Sequence, residues 1–81
     1  MKRWNGYDEA IIGPACIWAN NVRVNVLVYD GEVIRKILMN RDGMDSQEAR
    51  EFIEFNIEGA YIGDDTPVLV WPEDLFWEEE E

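Results

Sequence analysis

Eight residues, Val22 to Tyr29, constrain this chain more than any other stretch. Val22, Val24, Val26 and Val28 alternate with Arg23, Asn25, Leu27 and Tyr29, and a period of two with β-branched residues on one face is the pattern of a strand. Asn20 and Asn21 stand immediately before it, and asparagine tolerates the positive φ of a tight hairpin turn. Upstream, the apolar pieces Glu9 to Ile12 and Ala15 to Ala19 are divided by Gly13-Pro14 and are expected to supply one or two strands.

Two helices follow. Asp30 is placed to cap the first, in which Val33, Ile34, Ile37 and Leu38 recur at helical spacing until Asp42-Gly43 stops it, so the helix is expected over about 31–41. Asp45-Ser46-Gln47-Glu48 resembles a capping box with acids in the first turn. Ser46, the one serine, is accounted for by that helix start. The second helix is expected over about 46–58, closed by Gly59, with Ala49, Phe52, Ile53 and Ala60 on one stripe and Ile57 at its edge. Ala60 to Ile62 and Pro67 to Trp71 are further strand candidates around the turn residues Gly63-Asp64-Asp65. The expected fold class is α+β, a small antiparallel sheet of three to five strands with two helices packed on one face. Residues 1–8 read as an N-terminal extension, 9–71 as the domain, and 72–81 as an acidic, aromatic tail.

Charge is unevenly distributed. Residues 1–41 hold six basic residues against four acidic ones, whereas residues 42–81 hold Arg50 alone against fourteen acids, and the whole chain carries −11. Direct binding to a nucleic-acid backbone is disfavoured by that balance, and basic surfaces are the natural partners. Cys16 is the single cysteine, so no internal disulfide staples the fold, and a reducing cytoplasm suits it. No apolar run is long enough to span a bilayer, so no membrane association is expected.

The chemistry-bearing residue types are sparse. The sequence has no histidine, and Cys16, between Ala15 and Ile17, reads as a buried, inert thiol. No phosphate-binding glycine loop is present. Asp64-Asp65 with Asp42 or Asp45 is the best carboxylate set for a divalent cation, but adjacent aspartates in a turn are ordinarily turn formers. No enzyme activity, cofactor or metal is expected.

An angular reading of the second helix is more informative. Glu51, Glu54, Glu58 and Gln47 fall opposite its apolar stripe, with Glu48 bordering them. Carboxylates three or four positions apart repeat about every 4.5–6 Å along such a ridge. That row is either a solvated face or a surface resembling a nucleic-acid backbone. Phe55 falls between Glu51 and Glu48, where it either packs beneath the C-terminal residues or anchors a partner. Asn56 falls within the apolar stripe and is expected to be buried, its amide satisfied by the 59–66 loop. In the tail, Leu75, Phe76 and Trp77 lie between acids, ready either for a basic, grooved partner or to fold back on the sheet. The candidate partner-binding residues are Glu48, Glu51, Glu54, Phe55, Glu58, Asp64, Asp65, Phe76 and Trp77.

Several segments carry a resemblance: Val28-Tyr29-Asp30, Ile37-Leu38-Met39, Arg41-Asp42-Gly43-Met44, Glu54-Phe55-Asn56, Gly59-Ala60-Tyr61-Ile62-Gly63 and Thr66-Pro67. Together they resemble a group of small accessory proteins encoded by tailed bacteriophages and prophages, over about residues 9–71. The resemblance implies action in a bacterial host cytoplasm during infection and brings no catalytic residues with it. The leading expectation is an acidic interaction protein that binds and inhibits a basic host protein, such as a nucleic-acid-binding or defence enzyme. The alternatives are a module that sequesters a small ligand such as a nucleotide, with Arg23, Arg35, Lys36 and Arg41 as candidate contacts, and a phage assembly factor. Formation of a homo-oligomer is left open.

Overall fold

Asn20 and Asn21 take φ values of 54° and 66°, the left-handed pair that a two-residue hairpin turn requires. Ala19 faces Val22 across the turn. The computed structural model describes residues 1–60 and 62–72. It contains a 3-10 turn (Asp8–Ala10), strands β1 (Ile11–Ala19) and β2 (Val22–Asp30), helices α1 (Gly31–Asp42) and α2 (Ser46–Asn56), and strand β3 (Val68–Val70). This is the α+β class, with three strands in the order β1-β2-β3.

The apolar segment before the turn is one strand, not two, and Gly13-Pro14 lies inside it. Proline has no N–H to give to a ladder, and β1 tolerates it because one of its sides has no neighbouring strand among the described residues. A register shift between Ile11 and Gly13 leaves Ile12 bulged out and exposed. The sheet is mixed where an antiparallel one was expected, because β3 runs parallel to β2, with Val28 opposite Val68 and Asp30 opposite Val70. Both helices intervene between β2 and β3, and a chain returning after such a crossover can re-enter the sheet in the same direction. Ala60 and Ile62, expected in a strand, lie outside one.

Directly opposed residues share a sheet face. Leu27, Tyr29 and Leu69 therefore share one face, and both helices pack there through Ile34, Leu38, Ala49, Ile53 and Ile57. The valines of β2 occupy the other face, with Ala15 and Ile17 opposite Val26 and Val24. Asp30 caps α1 by accepting from the backbone N–H groups of Glu32 and Val33 at 2.8 and 3.4 Å, and Gly43 ends it with φ 73°. Asp45 and Glu48 form the reciprocal capping box of α2, at 2.8 and 3.0 Å. Ser46 is the first helical residue, so Asp45 does the capping. The Ser46 hydroxyl instead accepts from Arg35 Nη1 at 2.8 Å and ties the two helices together.

The first eight residues belong to the domain and are not an extension of it. Tyr7 is in the core, and the Trp4 ring lies 4.8 Å from that of Tyr29, whose hydroxyl accepts the Trp4 backbone N–H at 3.0 Å. At the far end of β2, Gly31 sits under Trp71. A Cβ at Gly31 would come within 2.7 Å of the indole, and overpacking of that kind costs about 1–3 kcal/mol. Gly31→Ala is therefore expected to lower the unfolding free energy by about that amount, despite alanine's better helix propensity, and urea denaturation of the purified variant measures it.

Candidate functional site

Helix α2 buries Ala49 and Ile53 and leaves Glu48, Glu51, Glu54 and Phe55 exposed, and the turn that follows it buries Ile57 and leaves Glu58, expected on the helix, exposed beyond its end. The charges are unequally committed. Glu48 is held by the capping box, Glu51 accepts from the Gln47 amide at 3.4 Å, and Glu54 lies 3.8 Å from Arg50. Arg50 itself stacks over Trp71, 4.0 Å from the ring centroid, so the one cation of the helix is anchored on its inner flank. Phe55 is 80% exposed in the midst of these carboxylates. Asn56, expected to be buried, is exposed, and its amide donates to the Phe52 carbonyl at 3.2 Å. The helix ends at Asn56, two residues early, and the chain turns at 57–59, so the apolar stripe is not continued through that position.

Asp64 and Asp65 are not part of this face. They lie in the turn before β3, where Asp64 accepts from Asn20 of the hairpin tip at 2.9 Å and Asp65 accepts from Lys2 at 2.7 Å. Their observed work is to tie three segments together. Among the described residues no cluster of three potential ligands could hold a metal ion. Phe76 and Trp77 lie outside the described residues.

Cys16, read as buried, is exposed. The helices cover Leu27 and Tyr29 but stop short of the hairpin's outer half, so Cys16, Trp18, Arg23 and Asn25 on the same face are bare, and Arg23 Nε donates to the Cys16 sulfur at 3.2 Å. Trp18, 72% exposed and directly opposite Arg23, is the residue that sequence reasoning missed. Its signal was parity: it shares a face with Arg23 and Asn25.

A cleft of about 370 Å³ opens between α1 and the segment around the 3-10 turn, with Val33 and Ile37 as apolar lining and Glu9, Lys36, Asn40 and Arg41 as polar groups. Arg41 is largely spent on the fold, donating to the Gly6 carbonyl, the Tyr7 hydroxyl and Asp42. Arg35 pairs with Glu32 and reaches Ser46, which makes it a structural cation. Lys36 forms no ion pair among the described residues.

The chain matches no family model, no curated protein and no solved structure. No helix among the described residues is long and apolar enough to cross a membrane.

Among the described residues, the Glu32 and Asp65 carboxyls are held below their ordinary range, Glu32 chiefly by the hydrogen bond from Arg35 and Asp65 chiefly by that from Lys2. A carboxylate with a lowered folded pKa stabilises the fold above its unfolded pKa and loses that contribution as pH falls through the folded value. Lys2→Gln and Arg35→Gln are thus expected to be less stable than wild type near neutrality. The gap should begin to narrow below about pH 4, the ordinary carboxylate range, and close only as pH falls through the lowered folded values. Urea melts of both variants between about pH 3 and 7 check this.

Proposed function

We propose that this chain is a small acidic accessory protein that docks on a basic surface of a host protein and blocks it, with the outward face of α2 as the docking surface. The observation that carries this reading is Phe55, 80% exposed among Glu48, Glu51, Glu54 and Glu58. A large apolar ring set among carboxylates gains little where it stands and much in a pocket rimmed by lysine or arginine. Exposed ion pairs are each worth only about 0.2–1 kcal/mol, so the carboxylates steer and orient while the ring anchors. A ridge of negative charge at helical spacing also suits a site built for a nucleic-acid backbone, and the phage-like segments favour a host nucleic-acid-binding or defence enzyme in the bacterial cytoplasm.

A second reading, a module that sequesters a small anion such as a nucleotide, is favoured by the cleft lined by Lys36. Glu9 on the same cleft and the internal commitments of Arg41 weigh against it.

The test begins with capture from bacterial lysate at low and high salt, followed by titration calorimetry with the captured protein. Replacing Glu51, Glu54 and Glu58 with Gln removes like charges, so the fold is expected to be as stable as wild type or slightly more so, while affinity falls. Phe55→Ser is expected to remove the part of the affinity that survives 1 M salt, where the Debye length is about 3 Å. Undiminished binding by the folded triple variant would exclude this face. In parallel, a nucleotide panel is expected to leave the melting temperature unmoved; a rise with one nucleotide, lost in Lys36→Ala, would favour the ligand reading instead.

A further inference from the structure

Trp18 and Phe55 are the two most exposed aromatic side chains of the described residues, at 72% and 80%, and their surroundings are opposite in character. Trp18 stands on a hairpin whose residues from Ile11 to Tyr29 include one charged side chain, Arg23, directly opposite it. Asp64, which meets the hairpin tip, is engaged by Asn20, and its neighbour Asp65 by Lys2. Phe55 stands among four glutamates. One patch is apolar with a cation, the other apolar with anions.

From this we propose that the chain associates with a second copy of itself, the outer half of the hairpin in one copy seating Trp18 and Arg23 on the acidic face of α2 in the other. Trp and Arg are the residue types that most often dominate an interface when desolvated, and Trp18 is bare because the helices end short of it. Arg23 spends its Nε on the Cys16 sulfur and forms no ion pair among the described residues, leaving its outer nitrogens for a carboxylate. Because each copy carries both patches, two such contacts related by a two-fold axis make a closed dimer. The proposal shares the α2 face with the docking reading above, and it implies that a basic partner must displace the second copy.

Sedimentation equilibrium of the full chain reads the mass directly. The expected result at about 0.15 M salt, where the mutual repulsion of two chains of charge −11 is screened beyond about 8 Å, is twice the chain mass of 9.5 kDa. Trp18→Ser and Arg23→Glu change exposed side chains, so both should keep the wild-type circular dichroism, and each is expected to weaken association by about tenfold or more. Phe55→Ser should do the same, and the Trp18 and Phe55 effects should be non-additive in a double-mutant cycle, as for groups in contact. A wild-type chain that stays monomeric at about 100 µM, a concentration at which a Kd of 100 µM or tighter would show, overturns the proposal. So does a dimer undisturbed by both hairpin variants, or a cycle with no coupling. Failure here is separable from failure of the docking reading: Trp18→Ser and Arg23→Glu leave the α2 face intact, so capture of a basic partner should persist or strengthen in them.

Discussion

The buried ring of Tyr29 is the contact on which the rest of the structure depends. It lies in the central strand, opposite Ile11 of β1 and Leu69 of β3, and is fully buried. A tyrosine so placed must satisfy its hydroxyl, and the Trp4 backbone does so while the indole packs on the ring. The N-terminal segment is thereby fixed, and Tyr7 is brought beneath the Arg41 guanidinium, 5.2 Å from the ring centroid. The next two residues continue the same logic. Asp30 caps α1 without any intervening loop, and Gly31 allows Trp71 to close over the junction, where it also receives Arg50 from α2. Strand, helix start and both flanking segments thus meet around one side chain and its two successors.

What was legible in the sequence was local. Asn20-Asn21, Asp30, Gly43 and the Asp45–Glu48 pair act through their own backbone angles and hydrogen bonds within three residues, and so their effects needed no knowledge of the tertiary fold. What depended on distant partners was not legible. The direction of β3 follows from where the chain returns after two helices, and the packing of residues 1–8 follows from a contact twenty-five residues away in sequence. Cys16 has apolar neighbours along the chain, yet whether a strand residue is covered depends on how far the helices reach along the sheet. Asn56 lies on the apolar stripe by angle, but it is the last residue of α2, where the chain turns and Ile57 rather than Asn56 is buried.

The candidate surface divides in the same way. Helical angle alone placed Phe55 among the glutamates, and the structure leaves it there. Of the internal commitments of those glutamates, the capping by Glu48 was legible in the Asp45–Glu48 spacing, whereas helical angle alone did not reveal the pairing of Glu54 with Arg50. The capping box and the Arg50 pair offset part of the like-charge repulsion along the helix, about 0.2–0.5 kcal/mol per close pair. A dense acidic face is therefore sustainable on a helix of eleven residues. Trp18 escaped notice because a tryptophan in an apolar run looks like core material until it is known how far the helices reach along the sheet face.

Pro14 gives that edge a further property. An open strand is a template on which another chain can add a rung at a time, and a long apolar one such as β1, open on one side among the described residues, invites unlimited growth into cross-β fibres. The imino ring removes one rung's donor, and the bulge at Ile12 breaks the spacing on its other side. Main-chain polymerisation is discouraged at the outset, and encounters between molecules are left to side chains, whose contacts saturate and reverse.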